Sequence, residues 1–267
     1  MPRLILCSDD FAFSRAVSET IADLALTGKI NAISCMAAMP GWAADSALLD
    51  GLPAHVQVGL HLTLTDEVPL TSMPRLAPAG RLPAINPLGR MAARGRVPLD
   101  EAAAEIGAQF DAFIAAFGRP PAFVDGHQHA HALPGIRDIV LAETALRAPG
   151  AWIRDCTDRL TAMLARPFAG KAIGSAWHSR GLRRAAAAAG LATNDSFAGH
   201  YDFAGDYRAL FPRFLRKPGA THVVMCHPGA GSRPGDAIAA ARSREAEALR
   251  NWSIADMAAI GGLAFPA

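Results

Sequence analysis

Phe123-Val124-Asp125-Gly126-His127-Gln128-His129-Ala130-His131 opens with short apolar residues, as a buried strand does, and breaks at Asp125-Gly126. Three histidines follow at alternate positions, and imidazole is the commonest protein ligand of catalytic divalent metals. His127, His129 and His131 share a face only if the strand continues, and Gly126 and Pro134 stop it. One or two of the three therefore look into a site, and the rest pack the turn. The bland alternative is a polar turn with surface histidines. It requires three of the chain's nine histidines to fall within five residues by accident.

Upstream, Leu4-Ile5-Leu6-Cys7 is another apolar run, ending in Ser8-Asp9-Asp10-Phe11. Ser14 is placed to cap a helix through about Thr27, closed by Gly28. Ala32 to Met36 reads as a second strand, a short helix follows near Trp42 to Leu49, and Val56 to Leu60 is a third strand with His61 at its end. The stretch 66–98 is broken by Pro69, Pro74, Pro78, Gly80 and Pro83, among others, and reads as a long loop insertion covering a site. A strong helix is expected from Asp100 to Phe117, stopped by Gly118, and another from Gly135 to Leu146. Beyond the histidine stretch the expected elements are a short strand Trp152-Ile153-Arg154, helices over 159–168, 178–189 and 206–215, and a strand Thr221 to Cys226. A charged helix around Ser243 to Asn251 and a last short strand at 263–265 complete the series.

Strand–helix alternation of this kind signals a parallel sheet with crossover helices. Seven or eight strands in 267 residues point to a single α/β domain, 1–267, built as a distorted β/α (TIM-like) barrel. An open doubly wound sheet is the second choice. Net charge is +2 and no polybasic run stands out, so nucleic acid and membrane surfaces are not implied. No apolar run is long enough for a transmembrane segment. The scattered cysteines Cys7, Cys35, Cys156 and Cys226 read as core residues of a reducing compartment. A strand starting almost at Met1 leaves no room for a signal peptide, so a cytoplasmic location is expected.

Active sites of β/α barrels lie at the C-terminal strand ends. Here those ends carry Asp9-Asp10, His61, Asp125 with His127 to His131, and His227. One carboxylate and two imidazoles leave open positions on a catalytic metal. A second acid beside them can serve as general base, and a histidine opposite as general acid. That combination is metal-assisted hydrolysis.

Asp9-Asp10-Phe11, Gly59-Leu60-His61, Asp125 to His131 and Cys226-His227-Pro228-Gly229, in that order, resemble the signature blocks of the YdjC-like carbohydrate deacetylases. That family includes chitooligosaccharide deacetylases and a hopanoid-biosynthesis-associated branch. The resemblance implies a distorted β/α barrel that removes acetyl groups from N-acetylated sugars with one divalent metal ion, Mg or Zn first, then Mn or Co. It implies Asp10, His61 and His127 as metal ligands, Asp9 as base and His227 as acid, and it allows a homodimer. Asp125 is expected to orient a ligand histidine. His131, four residues past His127, is a candidate ligand or substrate contact, Arg154 is a candidate sugar contact set against a surface salt bridge, and either could instead support the site from behind the ligands. One departure is Ala12 where the family has glycine, which is tolerable if its φ is negative.

Three other readings compete. Non-haem iron also takes two histidines and a carboxylate, but usually on antiparallel barrels. An amidohydrolase-type barrel is prompted by His127-Gln128-His129, yet such sites commonly place His-x-His on the first strand. A sugar-binding or regulatory relative without activity would need neither Asp9 nor His227.

Overall fold

The structure is a computed structural model, and it describes residues 1–231 and 233–266. Its strands are β1 (Arg3–Phe11), β2 (Ala32–Cys35), β3 (Gln57–Leu62), β4 (Phe123–Gly126), β5 (Trp152–Ile153), β6 (Ala192–Thr193), β7 (Ser196–Ala198) and β8 (Thr221–Cys226). They form one parallel sheet in the order β6-β5-β4-β3-β2-β1-β8-β7. Its two edges, β6 and β7, are separated only by Asn194 and Asp195 in the chain. One short stretch thus pairs with β5 through its first half and with β8 through its second. The sheet must curl until its edges meet, which makes a distorted TIM-like barrel.

Side chains mend the break between the two halves. The Asn194 carboxamide accepts from Asp155 N (2.7 Å) and donates to Asp155 O (2.9 Å) and Ser196 O (3.0 Å), standing in for backbone ladder bonds. The Asp195 carboxylate accepts from Thr221 N at 2.8 Å. Sequence reading missed both short strands, because the stretch holds no apolar run.

Alternation along each strand separates two cores. Ile5, Cys7, Phe123, Phe197, Val223 and Met225 pack inside the barrel. Leu4, Leu6, Val58, Leu60 and Val124 face outward against the helices. The interior is tight: a Cβ on Gly59 would lie 2.5 Å from the Phe123 ring.

The helices are α1 (Arg15–Leu26), α2 (Trp42–Asp45), α3 (Ile85–Ala93), α4 (Leu99–Phe117), α5 (Ile136–Arg147), α6 (Leu160–Met163), α7 (Ala169–His178), α8 (Leu182–Ala188), α9 (Tyr207–Phe214), α10 (Ala239–Asn251) and α11 (Ile254–Ile260). Ser14 caps α1, its side chain accepting from Val17 N, and Val17, Ile21 and Leu24 carry its buried face. Gly118, at φ 78, ends α4. Of the two helices expected over 159–168 and 178–189, the first shrinks to α6 and the second to α8; α7, between them, and α11 were not anticipated. The last expected strand is reduced to one bridge, Arg3 to Ala264.

The stretch 66–98 is not all loop, since α3 lies within it. Its irregular part is anchored by carboxylates of α4. Glu105 accepts from Leu70 N (3.0 Å) and Thr71 N (2.8 Å), and Glu101 from Arg75 N (3.1 Å) and Leu76 N (2.9 Å). Backbone groups that no strand or helix pairs are thereby satisfied.

Candidate active site

On β1 the alternation that turns Ile5 and Cys7 inward brings Asp9 to the barrel mouth as well. The next residue should face outward, but Asp10 adopts φ 67 and folds back to the same side. Consecutive carboxylates can share a site only through such a backbone turn. Ala12 follows with φ 73, against the negative value on which its tolerance was expected to rest. Its N–H donates to Ser18 Oγ (2.9 Å), and that hydroxyl donates to Asp45 Oδ2 (2.6 Å), which pins the turn.

β3 delivers His61 and the end of β4 delivers His127. The Asp10 Oδ1 atom lies 3.4 Å from His61 Nε2 and 3.1 Å from His127 Nδ1. Donor atoms of these three residues all fall within 4.8 Å of one another. Arg242 of α10 holds the other Asp10 oxygen at 2.7 Å, leaving Oδ1 to face the imidazoles. His61 Nδ1 lies 2.6 Å from Asp125 Oδ1, which also accepts from Ser34 Oγ at 2.5 Å. A carboxylate behind the far nitrogen is the arrangement that fixes the tautomer and aim of a ligating histidine. Burial alone would lower the His61 pKa, but Asp125, Asp10 and Asp9 outweigh it and push it up to about 10. Burial would raise the Asp10 pKa, yet Arg242 and His127 hold it well below the usual carboxylate range. One carboxylate oxygen and two imidazole nitrogens converging within 4.8 Å are a donor set that fits a divalent cation.

Beneath this group lies Arg154, with no exposed surface. Its guanidinium binds both oxygens of Asp9 at 2.6 Å and Asp125 Oδ2 at 2.5 Å, and donates to Cys7 Sγ at 3.0 Å. Cys7, Asp9 and Asp125 also cluster within metal-ligand distance, and this guanidinium supplies their positive charge. Arg154 is neither a sugar contact nor a surface salt bridge; of the expected roles the structure leaves that of support from behind, as the buried counter-charge of Asp9 and Asp125. Sequence could not show this, because the strand just before it is only two residues long. Burial raises the Asp9 pKa, but the charge and hydrogen bonds of Arg154 outweigh it and hold the carboxylate ionised.

His131 likewise stands behind the ligands rather than among them. It is fully buried, its Nε2 donates to the Arg154 carbonyl at 2.8 Å, and it stands outside the converging ligand group. Gln128 and His129 have φ 53 and 60, so the turn is not a regular helix and the four-residue spacing does not align His131 with His127.

His227, just past β8, places Nε2 4.0 Å from Asp9 Oδ2, and its ring meets Phe203 edge-on at 5.3 Å. Burial lowers its pKa against the pull of Asp10 and Asp9. Asp9, Asp10, His61, His127 and His227 thus share one cavity of about 510 Å³, which Glu67, His200, Tyr201 and Phe203 also line. Sequence reading missed Arg242, Glu245, His200 and Tyr201. A signal for the first two existed: Arg242, Glu245, Ala246 and Leu249 fall on one face of a helix that otherwise reads as solvated.

Residues 3–259 match the YdjC-like protein family. Among curated relatives, a chitooligosaccharide deacetylase of Enterobacter sp. (strain 638) is 35% identical over 137 residues, covering 51% of this chain and 53% of that protein. One from Escherichia fergusonii is 37% identical over 144 residues, covering 53% and 55%. The chain spans about half the length of the curated relatives it matches. A crystal structure of a candidate cellobiose-phosphate cleavage protein from Enterococcus faecalis V583 superposes with a TM-score of 0.73 at 18% identity, over 99% of this chain and 97% of that one. That likeness carries the fold. With the family match running through every residue of the cavity's charged centre, the chain belongs to the YdjC-like protein family.

Proposed function

We propose that this protein is a metal-dependent hydrolase that removes the acetyl group from N-acetylated sugars. The observation that carries the reading is the division of labour between adjacent carboxylates. Asp10 turns to two imidazoles, while Asp9 is held by Arg154 and faces His227. The names of the curated relatives supply the substrate class.

Asp10, His61 and His127 would hold the ion, and two imidazoles beside one carboxylate favour Zn, with Mg, Mn and Co as alternatives. When bound, the ion supplies Lewis acidity toward the acetamide carbonyl and makes water more acidic. Asp9 takes the proton of the attacking water. Arg154 keeps that carboxylate ionised and fixes its orientation, so only an acidified water can protonate it. His227 gives a proton to the departing amine, Asp9 and Asp10 favouring its cation against the burial that on balance lowers its pKa. Asp125 and Ser34 hold His61 in the tautomer that turns Nε2 to the mouth. The anchored segment from Asp66 to Leu82 lies over one side of the cavity and would sort acceptors.

The test is acetate release from N-acetylglucosamine oligosaccharides by metal-loaded protein, before and after chelation. Asp9→Asn should lower turnover by about 10³-fold while metal content stays near the parent's, as expected for loss of a general base. Full activity in that variant, or no acetate from the loaded parent, overturns the reading.

A further inference from the structure

Glu245 is a fully buried acid beside the cavity that the chemistry above leaves unused. It lies on α10, one turn beyond Arg242, so a single helix face inserts both residues behind the site. Its Oε2 accepts from the backbone N–H of His227 at 2.5 Å. Its Oε1 accepts from the Tyr201 hydroxyl. The Tyr201 ring packs 4.8 Å from Phe203, whose ring meets the His227 imidazole edge-on.

A histidine that transfers protons is ordinarily aimed by a hydrogen bond to its far nitrogen. His227 Nδ1 is buried and finds no partner among the described residues. Apart from Asp9, 4.0 Å from Nε2, the contacts that hold it lead to Glu245. The carboxylate grips the backbone directly, and the ring is held through Tyr201 and Phe203. Simple packing would not need an acid there, since burying a carboxyl costs more than burying an apolar side chain of similar volume. Burial pushes the Glu245 carboxyl up to about 7, against the pull of its hydrogen bonds from Tyr201 and His227 N.

We propose that Glu245 is the positioning residue of His227, directing its imidazole toward the leaving amine through the backbone rather than through the ring. This rests on the deacetylase reading. It makes a prediction that a merely structural role does not, because an acetamide needs its amine protonated as it leaves and an aryl ester does not.

The experiment compares metal-loaded parent, Glu245→Gln and Tyr201→Phe on an N-acetylated chitooligosaccharide and on 4-nitrophenyl acetate. Glu245→Gln should lower kcat on the amide about tenfold, with KM and metal content unchanged and ester hydrolysis within about twofold of the parent. The His227 amide proton resonance should move upfield as the charge-assisted bond is lost. Tyr201→Phe should show the same selectivity with a smaller loss, and it decides the matter alone if Glu245→Gln does not fold. Equal losses on both substrates, or no loss on the amide, overturn the proposal while leaving the deacetylase reading intact. A parent that cleaves the ester but no N-acetylated sugar sinks that reading, and this inference with it.

Discussion

At Ala12 three magnitudes compete. A left-handed backbone costs an alanine ~1–2 kcal/mol. Replacing it with glycine would relieve that, but would lose a buried methyl worth ~0.8 kcal/mol and free the unfolded chain by another ~0.4–1 kcal/mol. Ala12→Gly should therefore change stability by less than about 1 kcal/mol in urea unfolding, and a gain or loss above about 2 kcal/mol would contradict this account. At His61 the raised pKa means that the metal-free protein holds a proton there at neutral pH, a contribution lost only as pH rises toward about 10. A cation held there as proposed would displace that proton. Calorimetric metal titrations at pH 7 in buffers of different ionisation enthalpy should show release of about one proton, and Asp125→Asn should reduce it. No proton release would mean that His61 does not ligate. The sequence displayed these site residues because apolar runs ending in acids and imidazoles are conspicuous. It did not display the left-handed backbone at Asp10 and Ala12, which depends on what the turn packs against.

Polar stripes on helices were the hardest elements to read. Glu101, Glu105 and Gln109 of α4 lie along one face and are all buried, as are Arg242 and Glu245 of α10. In a sequence such residues look solvated, because their partners are backbone groups or carboxylates remote along the chain. Gln109 shows the point: its carboxamide pairs with both Thr63 N and Thr63 O at 2.8 Å, extending β3 just past His61. Glu105→Ala would strand two backbone N–H groups of the loop above, at ~1–3 kcal/mol each. It should destabilise the protein by about 3 kcal/mol and speed limited proteolysis between 66 and 82. Unchanged cleavage there would show that the carboxylate does not hold the segment.

For the molecule as a whole, strand–helix alternation was enough to give the barrel, but not its closure. The seam at 192–198 is made by Asn194, Asp195 and Ser196, whose side chains do what an apolar strand does elsewhere. Acid should attack it. His222 on β8 receives Ser196 Oγ at 2.7 Å on Nδ1 and donates from Nε2 to the Phe214 carbonyl at 3.0 Å, and burial with nearby Arg166 brings its pKa down to about 3. Burial likewise lowers His131 and His200 to about 4. Each folded value lies below the unfolded imidazole near 6.5, so this stability is complete above that pH and is lost as pH falls toward 3–4. His222 alone should contribute about 2 kcal/mol to the difference between urea unfolding at pH 7 and pH 5. His222→Gln should shrink that difference by as much, and an unchanged difference would contradict the assignment. The Phe123 ring pressed against Gly59 has another consequence. With Phe123 filling the floor beneath Gly59, an ion and a sugar of the proposed kind would share the doorway at the strand ends among the described residues, and the sugar would stand over the ion. A chelator should strip the ion slowly from protein incubated with a tight-binding amino sugar, and quickly from protein with an empty doorway.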